Sequence, residues 1–209
     1  MGLLNRLSNL VKGEEKRKAE AEAVQNASAE QELQKIFTDP EHLYKLCFAL
    51  TTEDQLKFFK QCEVVKSGKV KVGAFDSKMK SSDLLQATLK CEENSENKKD
   101  RLEKLAQENK DIKDLLQQTF IDTTLKTKFF EENKKFKREI SQHRILSKTE
   151  STMAWGVLMI GITSGRIKDI NQIQKLSMDA KADLQKRAKE LGLAVETQNP
   201  VIQKSGESR

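Results

Sequence analysis

Few side chains in this sequence stand where they could make or break bonds together. Its two histidines, His42 and His143, are far apart, and neither has Cys, Asp or Glu at a metal-ligand spacing. Both read as surface or rim residues, and His42 falls in the first turn of a helix, where a positive imidazolium is disfavoured. The carboxylate pairs Glu92-Glu93 and Glu131-Glu132 sit beside lysines in polar runs. Acid–base work needs burial to shift a pKa, so these pairs read as solvated faces. Gly161-Ile162-Thr163-Ser164-Gly165 has glycines and hydroxyls but lacks the lysine and the ending of a phosphate-binding loop. There is no GxGxxG and no GxSxG. The expectation is a protein that is not an enzyme, takes no cofactor, metal or small-molecule substrate, and works by binding.

The cysteines, Cys47, Cys62 and Cys91, are odd in number, widely spaced and without a CxxC pair. Cys47 and Cys62 lie among apolar residues and read as buried thiols, which fits a reducing cytosolic compartment. The opening residues lack the apolar region and cleavage site of a secretory signal. The longest apolar run, Met153 to Ile162, is about half of what spans a bilayer.

Three stretches could carry binding. The first is the opening segment, where Leu3, Leu4, Leu7, Leu10 and Val11 repeat on one face of a helix and Asn5, Arg6, Ser8, Asn9 and Lys12 cover the other. Met1-Gly2-Leu3-Leu4-Asn5-Arg6-Leu7 resembles the openings of peripheral membrane proteins of the phage-shock type. The resemblance stops after about a dozen residues, because the rest of the chain lacks their continuous coiled-coil pattern. It implies docking at the headgroup boundary of a membrane, whereas packing on the chain's own core or in a partner's groove is the alternative. Arg6 and Lys12 supply the only positive charge there, so contact with an anionic membrane would be weak, and Arg6 stands where a myristoylation pattern needs Ser or Thr.

The second stretch surrounds Trp155. Gly156 and Gly161 would let another helix come close to Met159 and Ile160, so this helix is either the centre of a bundle or a subunit interface. The third is basic: Lys126, Lys128, Lys134, Lys135, Lys137, Arg138, Arg144 and Lys148 stand against Glu131, Glu132 and Glu139, with Phe129, Phe130 and Phe136 interleaved. Lys66, Lys69, Lys71, Lys78 and Lys80 form a second patch. Either could contact phosphates, although a solvated helix face is the plainer reading.

The elements that would position these stretches follow from the scarcity of breakers. Proline occurs only at Pro40 and Pro200, and charged residues make up 33% against 36% hydrophobic. Such a chain is mainly α: a helical bundle or helical hairpin with one long helix, a thin core and much exposed helix surface. Residues 1–13 form the amphipathic helix, stopped at Gly13, and 14–27 a charged tether. Residues 28–94 make a small helical unit. In it a helix from Ser28 to Phe37 starts with a Ser28–Gln31 capping box, and Asp39-Pro40 and Thr51 or Thr52 open two more. Valines around Lys66-Ser67-Gly68-Lys69 suggest a small β-hairpin at 64–75. A helix from Ser81 or Ser82 to about Cys91 follows, then a polar stretch at 92–99. Residues 95–146 form one long helix or a hairpin broken near Asp122-Thr123-Thr124. Leu102, Leu105, Ile112 and Leu116 make an a/d coiled-coil stripe with Asn109 in its seam. Residues 147–194 hold the apolar helix, opened by Ser147 or Thr149 and ended by Gly165. One or two further helices follow, jointed at Ser177 and stopped at Gly192. Residues 195–209 read as a disordered tail.

The function these parts suggest is an adaptor or accessory subunit that binds other proteins in a larger cytoplasmic assembly, such as a secretion or transport machine, peripheral to the inner face of a membrane. The alternative is a nucleic-acid-binding protein using the stripe 126–148. The net charge of +6, from 38 basic and 32 acidic residues, permits nucleic acid or anionic lipid without demanding either.

Overall fold

Helix dominates because almost nothing interrupts it. A computed structural model describes residues 3–66, 79–118, 127, 131, 134 and 145–193, with backbone only for 3–12, 52, 66, 112 and 115–118. The helices are α1 (Leu3–Thr38), α2 (Pro40–Phe48), α3 (Thr52–Lys66), α4 (Ser81–Gln118), α5 (Lys148–Thr163) and α6 (Ile170–Glu190).

Several boundaries follow the sequence signals. Asp39 is the N-cap of α2, its Oδ1 accepting from Glu41 N–H at 2.9 Å, with Pro40 at the first helical position. Thr51 Oγ1 accepts from Asp54 N–H at 3.2 Å and opens α3. Ser147 and Glu150 close a reciprocal capping box at α5: Ser147 Oγ accepts from Glu150 N–H at 3.1 Å, and a Glu150 carboxylate oxygen accepts from Ser147 N–H at 2.8 Å. Gly192, at φ +72°, ends α6, and Leu193 N–H reaches back to Ala188 C=O at 2.9 Å. That is a left-handed cap which a β-carbon would strain.

Other boundaries differ from the expectation. Helix α1 runs through Gly13 and through 14–27 without a stop, so the first helix, the tether and the Ser28 helix are one element. One helical glycine costs about 1 kcal/mol, which the neighbouring helix formers and pairs such as Lys16–Glu20 (3.9 Å) offset. Val64, Val65 and Lys66 belong to α3, the first arm of the expected hairpin is therefore helical, and no strand occurs among the described residues. The rest of that hairpin lies outside them. Residues 92–99 do not separate two helices but continue α4. Ser177 is not a joint: it is fully buried inside a continuous α6.

The chain divides into two compact units, 1–99 with 146–182, and 100–145 with 183–209. In the first, α1 packs on α2, α3 on α5, and α2 on α5. Its core takes Leu33, Ile36 and Phe37 from α1, Leu43, Leu46 and Phe48 from α2, and Phe58 and Cys62 from α3. Ala154, Leu158 and Met159 of α5 and Ile173 of α6 complete it. From Gly13 to Gln25 every α1 residue is exposed, and Ala29 is the first buried one among its described side chains.

In the second unit, Leu102 and Asn109 are buried and Leu105 is partly so. The side chains of Ile112 and Leu116 lie outside the described residues. Arg101 donates to Ile145 C=O at 2.9 Å. A single straight helix would hold these two residues about 66 Å apart at 1.5 Å per residue, so 95–146 is not one helix.

Candidate binding groove

Helix α5 is apolar almost all the way round, and a helix of that kind must be covered on every side. Its inner face is covered by the core. Gly161 sits where a β-carbon would come within 2.7 Å of Ile167 Cδ1 and 3.2 Å of Phe37 Cε1, so α1 and the turn after α5 approach it closely. Met159, Ile160 and Gly161 are buried within the chain itself, Gly156 is buried, and Trp155 is partly exposed. The residues expected as core or interface are therefore mostly core.

A groove of about 550 Å³ opens on another side of α5. Thr149, Thr152, Met153, Gly156, Val157 and Ile160 form its floor at helical spacing, with Met79, Leu84 and Ala87 on the facing wall. Met79 and Met153 remain 45% and 38% exposed there. Lys148, the exposed first residue of α5, stands on the rim.

A buried polar network fixes the floor. Ser151, fully buried, donates to Asp54 Oδ2 at 2.5 Å and accepts from Thr51 N–H at 2.7 Å, which ties α5 to the start of α3. The start of α4 is held similarly. Glu30 of α1 accepts from Ser81 Oγ at 2.7 Å and from Arg166 at 2.9 and 2.6 Å. The Arg166 hydrogen bond, followed by that of Ser81, holds the Glu30 carboxyl below its ordinary value. Lys80, just before α4, pairs with Glu22.

The histidine and carboxylate readings need revision. His42 is not a bare rim residue: its Nδ1 lies 2.6 Å from Glu92 Oε1, joining α2 to α4. Glu92 is not on a solvated face, its side chain being only 12% exposed, whereas Glu93 is exposed and pairs with Lys90 at 2.6 Å. Cys47, Cys62 and Cys91 are all buried, and none is in a disulfide. Burial pushes the Cys47 thiol well up and that of Cys91 to about 12.

Of the basic stripe, Lys134 and Lys148 are described and exposed, while Lys126, Lys128, Lys135, Lys137, Arg138 and Arg144 lie outside the described residues, as does His143. Leu3, Leu4, Leu7, Leu10 and Val11 are helical, their side chains outside the description. No helix among the described residues is long and apolar enough to cross a membrane.

The groove itself was missed from sequence. Its only signal was the absence of a polar face on α5, which says that two sides need cover but not which one lacks it. No protein-family model matches the chain, and neither a curated protein nor a solved structure matches it.

Proposed function

We propose that this chain is a non-enzymatic adaptor or accessory subunit that docks an amphipathic helix of a partner protein in the groove beside α5. The observation that carries the reading is the apolar lining of that groove on a rigidly capped helix. Apolar grooves of this kind take the apolar stripe of a helix. Lys148 on the rim and the two threonines beside it favour a helix whose stripe is flanked by acidic residues.

The opening segment of α1 supplies a second attachment. Gly13 to Gln25 is exposed helix, which separates Leu3 to Val11 along α1 from the buried Ala29. Its five apolar residues serve as a docking stripe for a protein partner, with weak support from an anionic membrane surface through Arg6 and Lys12.

The test is affinity purification of the tagged full-length protein from its native cells, after nuclease treatment, in wild-type form and as Met153→Glu. A defined protein subunit recovered with the wild type and lost at least about tenfold with the variant supports the groove, since burying one unpaired charge costs more than 1.4 kcal/mol. Recovery of the same subunit by both forms removes the groove from the account. A partner lost to nuclease would replace the reading with nucleic acid on the 126–148 stripe. Deleting residues 1–13 should abolish recruitment while the circular dichroism of the remainder is retained.

A further inference from the structure

A buried amine clasps the joint between α2 and α3. Lys98 of α4 is 1% exposed. Its Nζ donates to Phe48 C=O at 2.7 Å and to Leu50 C=O at 3.2 Å. These carbonyls belong to the end of α2 and to the short link that follows, where the helix leaves acceptors without backbone partners. The same Nζ lies 4.9 Å from the centroid of the Phe48 ring. The residues that flank these carbonyls in the chain, Cys47 and Ala49, are themselves inaccessible, as is Leu50.

Among the described residues no carboxylate pairs with this amine. On α4, Glu92 is taken by His42 of α2 and Glu96 by Lys45 of α2 at 3.5 Å, while Lys99 puts a second cation 5.7 Å from the Phe48 ring. Also on these helices, the thiols Cys47, Cys62 and Cys91 are buried, Tyr44 stacks on the Phe48 ring, and the buried Asp54 carboxylate is taken by Ser151 and Thr51 hydroxyls. A neutral amine has two N–H groups, and two carbonyls face it. An ammonium adds a third proton and a full charge, for which the described residues offer the Phe48 ring but no paired carboxylate.

We infer that the α2–α3 joint is a proton-sensitive latch, closed on Lys98 as the neutral amine and opened with uptake of one proton. Burial lowers the Lys98 pKa from 10.5 to about 7 in the closed joint. In an open joint, where the side chain meets water, it returns to the ordinary range. Between about 7 and 10.5 the open form therefore carries a proton that the closed form lacks, and the closed form gains as pH rises. Below about 7 both forms are protonated and the dependence ends.

Three amides report the latch: Ala49 N–H to Lys45 C=O at 3.1 Å, Leu50 N–H to Cys47 C=O at 3.1 Å, and Thr51 N–H to Ser151 Oγ at 2.7 Å. The experiment is hydrogen exchange of the full-length protein between pH 7 and pH 9.5, with rates corrected for intrinsic base catalysis. Protection of these amides should rise about tenfold per pH unit in the wild type and stay flat in Lys98→Met, which keeps the length of the side chain but not the proton. Flat protection in the wild type, or an equal slope in the variant, overturns the inference. If Lys98→Met does not fold, the ¹³Cε shift of Lys98 in the wild type decides. A midpoint near neutral supports the latch, and one above pH 10 contradicts it.

Discussion

Helix α5 and the first half of α4 are both buried helices of the same unit, and they are buried by opposite means. Helix α5 buries Ala154, Val157, Leu158, Met159 and Ile162, an apolar set that any hydropathy reading finds. Helix α4 buries Leu84, Thr88, Cys91, Glu92, Asn94, Ser95 and Lys98, of which only Leu84 and Cys91 would be placed in a core by their type. Apolar burial is stabilising wherever it occurs, at about 25 cal/mol per Å². Polar burial is tolerated where a partner is supplied, locally as Leu84 C=O does for Thr88, or from a distance as Phe48 and Leu50 do for Lys98 and His42 does for Glu92. The first kind of helix is a general-purpose core element, and the second is specific to its neighbours.

This contrast can be broken most readily at its apolar pole. Leu158→Ala, at a fully buried position, should cost about 2–5 kcal/mol in chemical denaturation. A loss well under 1 kcal/mol would mean that α5 is not a core helix. Next in size is the polar clasp between α5 and α3. Ser151→Ala should cost about 1–3 kcal/mol, because it leaves the buried Asp54 carboxylate and the Thr51 amide each short of a partner. An unchanged midpoint would show that polar burial contributes little here.

The smallest effect belongs to the half-exposed Glu30–Arg166 pair, whose side chains are 44% and 19% exposed. Solvent screening keeps its contribution to about 1 kcal/mol or less. The sign is fixed by the lowered Glu30 pKa. The contribution is complete above the ordinary value of 4.5 and is lost as pH falls through the depressed value of the folded state. Glu30→Gln should remove that acid-side step from a pH series of melting temperatures, and a step of unchanged size would assign it to another carboxylate.

The same contrast explains what could be read from the residues. The caps at Asp39, Thr51 and Ser147, the stops at Gly165 and Gly192 and the apolar α5 are local signals, decided within one turn of helix, and the structure follows them. Gly13 and Ser177 were misread because a weak local preference was taken to outweigh a long run of helix formers. The polar stretch 92–99 was misread for a different reason: its burial depends on residues about fifty positions away, which no local pattern reveals. The groove belongs to this second class. Met79 and Met153 line it from segments far apart in sequence, with Glu30 holding Ser81 at the start of α4 and Asp54 holding Ser151 of α5.

The account turns on whether that groove holds a partner. The direct measurement is photo-crosslinking in native cells from a reactive residue placed at position 153, compared with one at the exposed position 35. The account predicts a crosslink from position 153 to one helical segment of one protein subunit, and none above background from position 35. Equal yields from the two positions, or a product from position 153 that nuclease removes, would contradict it.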